Sequence, residues 1–268
     1  MDVSKWALFF PAPLDGQDRA NLAASGIRRV QTFLGTALAT LDQMSYLASQ
    51  GVRVTLRLDE PNRGEEGGSY YNRLNHPDLL AKIRAVKAKV PVEAVIVGNE
   101  PENDYDLTWT SQNWGNSPDA WFRQPGGKAQ AHAEAVAYLV YSLQAIQVPA
   151  VSPGWTHKRI TPRDSPQPGR ESWRELTGYA YNACAANGAH LYAHDWQSAE
   201  DENRYLWAAG EEVARCHKSV WVNETNVHKG EDVWQMRSVI AMYQLLMAQG
   251  WGSRIVSFCP FVSNSGGP

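Results

Sequence analysis

Short apolar runs rich in β-branched residues alternate with helical stretches along the whole chain, and this alternation predicts the fold. Trp6 to Phe10 reads as a first strand, Asp18 to Ala24 as a short helix and Arg28 to Leu34 as a second strand. Ala37 to Ser49 is a helix stopped at Gly51, and Val52 to Leu58 a third strand. A loop rich in Gly and Tyr, Asp59 to Asn75, leads to a helix from His76 to about Lys89, then to a fourth strand, Val92 to Asn99. A long loop, Pro101 to Gly127, precedes a helix over Lys128 to Ile146 and a fifth strand, Val148 to Ser152. After a Pro-rich loop to Gly169, Glu171 to Ala186 reads as a helix with Asn187-Gly188 as its stop. His190 to His194 is the sixth strand, Glu200 to Cys216 a helix and Lys218 to Asn223 the seventh strand. Asp232 to Gln249 is a helix stopping at Gly250, and Arg254 to Phe261 the eighth strand.

Eight strands separated by helices predict parallel pairing through right-handed crossovers. At 268 residues the expected fold is an α/β (β/α)8 TIM barrel, one domain over 1–268, lacking the final helix that normally closes the wall. A doubly wound open sheet is the rival. It calls for a Gly-rich phosphate turn after the first strand, where this chain has Phe9-Phe10-Pro11-Ala12-Pro13.

Composition narrows the function classes. The apolar fraction of 43% and charged fraction of 20% are those of a soluble globular chain. A net charge of -3 gives no basic footprint for nucleic acid or a membrane surface, and no apolar stretch reaches the length of a membrane span. The first ten residues lack a signal-peptide pattern, which leaves the location open: extracellular if the domain is excised from a secreted precursor, otherwise cytoplasmic. Three cysteines at irregular spacing suggest neither a disulfide framework nor a metal knuckle. The 11 Trp and 11 Tyr suit sugar stacking and ordinary cores equally. A monomer is expected.

Two Asn-Glu pairs carry the chemistry. Asn99-Glu100 closes the run Glu93 to Gly98, and Asn223-Glu224 closes Ser219 to Val222. In a (β/α)8 barrel both glutamates then sit at the C-terminal ends of strands four and seven, where active sites lie. Strand alternation puts Val220, Val222 and Glu224 on one face and Trp221 on the other, packed on a helix. It likewise groups Ala94, Ile96, Gly98 and Glu100. Two carboxylates converging at the mouth suit glycosidic cleavage, one as proton donor and one as nucleophile or base. A separation of about 5 Å implies retention, and roughly 6.5–9.5 Å inversion.

Asn99-Glu100-Pro101 after strand four and Glu224 after strand seven resemble clan A of the retaining glycoside hydrolases, and the resemblance spans the eight-strand layout. It implies Glu100 as acid/base, Glu224 as nucleophile, and Asn99 as hydrogen-bond partner of the sugar 2-hydroxyl. It also implies a nucleophile-orienting Tyr or His after strand six, for which Tyr192 and His194 are the candidates. The chain departs from the clan in three places. Strand two ends Gln31-Thr32-Phe33 where the clan commonly has an Arg, so Arg57 on strand three is the expected substitute. Phe258-Cys259-Pro260-Phe261 stands where a Trp is common, and the terminal helix is absent.

Arg57 has a second reading, a plain ion pair with Asp59 or Glu60. Trp114, Trp155 and Trp196 are candidates for sugar stacking or for pinning their loops, and Asn223 is taken as a further substrate contact. The function expected is a retaining β-glycosidase acting within a polysaccharide, without cofactor or metal. Its rivals are an exo-acting β-glycosidase, a non-catalytic carbohydrate-binding barrel, and a metal-dependent hydrolase built on His194, Asp195 and Glu224.

Overall fold

The computed structural model describes residues 3–58, 76–98, 127–154, 182–193, 203, 205–206, 209–210, 213, 218–227 and 232–260. Eight strands form one parallel sheet in chain order: β1 (Leu8–Phe10), β2 (Arg29–Phe33), β3 (Arg53–Arg57), β4 (Val92–Ile96), β5 (Ala150–Val151), β6 (Ala186–Ala193), β7 (Ser219–Val227) and β8 (Ile255–Pro260). The sheet returns on itself where Ala7 N–H donates to the Phe258 carbonyl (2.9 Å) and Phe258 N–H to that of Lys5 (2.8 Å). Six helices surround it among the described residues: α1 (Gly16–Ser25), α2 (Leu34–Ala39), α3 (Leu41–Ser49), α4 (His76–Lys87), α5 (Gly127–Gln144) and α6 (Asp232–Ala248). This is the (β/α)8 barrel expected, with no helix after β8 among the described residues. None of these helices is long and apolar enough to cross a membrane.

Local chemistry sets most boundaries. Asp15 caps α1, its carboxylate accepting from Asp18 N–H (2.7 Å) while Asp18 accepts from Asp15 N–H (3.2 Å). Gly51 and Gly250 take φ of 68° and 78° after α3 and α6, a left-handed turn that a residue without Cβ makes at little cost. The single helix expected over 37–49 is instead α2 and α3. Thr40 breaks it, with φ −131° and ψ 44° and its hydroxyl donating to the Thr36 carbonyl (2.7 Å).

The outward strand faces bury against the helices. Val54, Leu56, Val95 and Val97 pack with Leu79, Ile83 and Val86 of α4 and Leu139 and Leu143 of α5. Ala189, Leu191, Val220, Val222 and Phe258 pack with Val239, Met242, Tyr243 and Leu246 of α6. The lumen holds a smaller cluster of Ala94, Ile96, Val151, Ala186 and Trp221, so Ala94 and Ile96 point inward as expected. Below it, Glu93 joins Arg29 (2.9 Å) and Arg53 (3.2 Å) towards the N-terminal end.

Two expectations fail around β6 and β7. Asn187-Gly188 does not stop a helix; it lies inside β6, which starts at Ala186 rather than His190. A Cβ on Gly188 would stand 2.1 Å from the Ser152 carbonyl oxygen, so this glycine serves close strand approach. Trp221 does not pack on a helix but fills the lumen, while Val220 and Val222 face the helices. Strict alternation is broken because β7 carries one extra residue at Asn223: consecutive Ala189 and His190 pair with Val222 and Glu224.

Candidate active site

The mouth cluster draws side chains from five strands, β1, β2, β3, β6 and β7. Arg57 is the last residue of β3 and is almost wholly buried, 2% exposed. Its guanidinium lies over the rings of Phe9 (5.4 Å) from β1 and Phe33 (5.7 Å) from β2, an arrangement that shields a cation at little electrostatic cost. Those two rings meet edge to face at 5.3 Å. From across the lumen, Glu224 of β7 reaches Arg57, with Oε1 2.6 Å from Nη1. The Tyr192 hydroxyl of β6 donates to Glu224 Oε2, and His190 Nδ1, two residues earlier on the same strand face, is 3.5 Å from that oxygen.

The His190 ring is wedged in place. Gly154, just past β5, packs so closely that a Cβ there would lie 2.0 Å from the imidazole Cδ2. Cys259 of β8 completes the surroundings; burial pushes its thiol well above the usual range, with Arg57 and Glu224 near enough to act on it in opposite directions.

Burial alone would raise the Glu224 pKa. The charges of His190 and Arg57, with hydrogen bonds from Tyr192 and Arg57, outweigh it and hold the carboxyl at about 2. Glu224 is therefore an anion at any physiological pH. It is suited to attack an electrophilic carbon or to stabilise a cation, and unsuited to donating a proton. Ile96, the last residue of β4, packs with Trp221 of β7 in the lumen, and Gly98 beyond it takes φ 113°.

Of the residues singled out from sequence, Arg57, Tyr192 and Glu224 converge. Asn223 is adjacent but 1% exposed, with Oδ1 accepting from Ala189 N–H (2.8 Å). Asn99, Glu100, Trp114, Trp155, His194 and Trp196 lie outside the described residues. Asp59 and Glu60, the alternative partners of Arg57, also lie outside them. Sequence reasoning missed His190, Gly154 and the Phe9–Phe33 pair. The alternation His190-Leu191-Tyr192 was a usable signal, hidden because Asn187-Gly188 delayed the start of the strand.

No protein-family model matches the chain, and no curated protein matches it. Among solved structures it is similar to a GH128 (subgroup II) endo-β-1,3-glucanase from Sorangium cellulosum, at 12% identity over 98% of this chain and 89% of that one, TM-score 0.61. It is also similar to an endo-1,4-β-D-mannanase from Thermotoga petrophila, at 9% identity over 97% and 88%, TM-score 0.59. A β-glycosidase from Pyrococcus horikoshii aligns at 12% identity over 91% and 73%, TM-score 0.56. At such identities the likeness is one of fold.

Proposed function

We propose that residues 1–268 form one catalytic barrel that hydrolyses β-glycosidic bonds within a polysaccharide, with retention of configuration. The observation that carries this reading is Glu224, buried at the C-terminal mouth of β7 and held ionised by Arg57, His190 and Tyr192. The likeness of the barrel to solved glucanase, mannanase and β-glycosidase structures supports the substrate class.

In the reaction, a Glu224 oxygen attacks the anomeric carbon as the bond to the leaving oxygen breaks, and Glu100 supplies the proton that oxygen needs. The resulting glycosyl ester is opened by water. Glu100, now ionised, takes a proton from that water as it adds to the anomeric carbon and releases the Glu224 carboxylate. Arg57 and Tyr192 stabilise Glu224 as its negative charge returns, and Asn99 holds the sugar 2-hydroxyl. The sugar-stacking role falls to Trp114, Trp155 and Trp196, as the sequence reading has it. No cofactor enters any step.

The test is to follow reducing ends from β-linked polysaccharides, comparing wild type with Glu224→Ala. Reducing ends released by the wild type and lost in the variant, with azide restoring chain cleavage seen by mass spectrometry as the α-glycosyl azide, are the expected result. Release that survives the substitution contradicts the mechanism, and binding without release favours a carbohydrate-binding barrel.

A further inference from the structure

We propose that Asn223 is a positioning residue: it occupies a bulge in β7 that reverses the strand's alternation and so turns Glu224 into the lumen. The inference rests on the reading of Glu224 as the reacting carboxylate. It assigns Asn223 to strand register rather than to sugar contact.

Trp221 faces the lumen while Val220 and Val222 face the helices. Unbroken alternation would send Glu224 to the helix side with Val222 and place Thr225 inside. The reverse is found. Glu224 meets Arg57, His190 and Tyr192, and the Thr225 hydroxyl pairs with Tyr205 (3.1 Å) in the helix layer. Both neighbouring ladders record the same insertion. Between Val222 and Glu224, β6 advances one residue, from Ala189 to His190; between Val222 and Thr225, β8 advances two, from Phe258 to Pro260.

Two hydrogen bonds hold the extra residue. The Asn223 carbonyl accepts from Gln31 Nε2 of β2 (2.9 Å), reaching across the lumen. Its side-chain Oδ1 accepts from Ala189 N–H (2.8 Å), standing in for a backbone acceptor where the ladder is interrupted. Nδ2 makes no hydrogen bond among the described residues, so the oxygen is the atom in use. Gly188 leaves the space, since a Cβ there would sit 2.8 Å from Asn223 Nδ2. Alanine at 223 would strand the buried Ala189 amide and remove the reason for the bulge.

The readout is the ionisation of Glu224, faced by Arg57 from β3, His190 and Tyr192 from β6 and the Cys259 thiol from β8. It is followed by carbon-13 NMR of labelled glutamate, with Glu224→Gln identifying the resonance. In Asn223→Ala the midpoint should rise by at least about one unit, a tenfold change in ionisation constant, as the carboxylate retreats from Arg57. Asn223→Ser, which keeps an oxygen for Ala189, should recover part of that shift. Val222→Ala, a cavity on the helix side of the same strand, should lower Tm and leave the midpoint unchanged. An Asn223→Ala midpoint equal to wild type, or an equal shift in Val222→Ala, overturns the proposal. If Asn223→Ala does not fold, Gln31→Leu, which frees only the carbonyl, is read the same way: a raised midpoint upholds it and an unchanged one overturns it. No hydrolysis is needed. A raised midpoint in a protein that cleaves no sugar leaves the role of Asn223 standing and removes only the glycosidase reading.

Discussion

Replacing Glu224 by Gln removes one titrating group from the mouth, and the structure sets how much acid sensitivity disappears with it. The Glu224 carboxyl falls from 4.5 to about 2 on folding. A depressed carboxylate pKa contributes stability above its unfolded value, and that contribution is lost as pH drops through the folded value. A difference of about 2.5 units at ~1.36 kcal/mol each is worth ~3 kcal/mol at pH 7, of which roughly 2 kcal/mol is lost between pH 5 and pH 3. Glu224→Gln should be less stable than wild type at pH 7, because the buried Arg57 loses its anion. The gap should narrow by ~2 kcal/mol from pH 5 to pH 3 and by a further ~1 kcal/mol towards pH 2. Urea unfolding of both proteins at each pH measures it. A gap constant to within about 0.5 kcal/mol over that range would refute the claim that Glu224 is held ionised.

Three further outcomes follow from the same geometry. Tyr192→Phe removes a hydrogen bond to an ionised carboxylate; it should cost about 1.5–3 kcal/mol of stability and move the acid limb of kcat/KM to higher pH, read from unfolding curves and a pH–rate profile. Gly154→Ala places a methyl against the His190 ring and should cost about 1–3 kcal/mol or more, with a crystal structure showing the imidazole displaced from Glu224. Glu93→Gln, towards the opposite end of the lumen, should cost about 2–3 kcal/mol by urea unfolding while leaving the pH–rate profile in place, since half-exposed Arg53 shares the pair with Arg29.

What the sequence disclosed was local. β-Branched runs located the eight strands, and Gly51 and Gly250 marked helix ends because a left-handed turn depends only on the residue that makes it. Arg57 was legible on strand three and Glu224 just after strand seven, although β7 runs on to Val227 and takes Glu224 inside it; barrel topology brings the two together across the lumen. The failures share a tertiary cause. Gly188 reads as a helix stop until the Ser152 carbonyl and Asn223 are known to crowd it. The inward turn of Glu224 was expected from alternation, but alternation would have turned it outward; the Asn223 bulge, held by Gln31 and Ala189 from other strands, supplies the inward turn. Trp221 went to the wrong layer for the same reason. Asn99, Glu100, Trp114, Trp155, His194 and Trp196 fall outside the described residues, so their roles rest on the sequence reading.

A nucleophilic Glu224 forms a covalent bond to sugar, and that bond can be trapped. The protein is incubated with activated 2-deoxy-2-fluoro-β-glycosides of glucose and mannose, digested and mapped by mass spectrometry. A glycosyl adduct is expected on the peptide containing Glu224 and none in Glu224→Gln. An adduct on a different carboxylate, or turnover of the same glycosides with inverted configuration and no adduct, would contradict it.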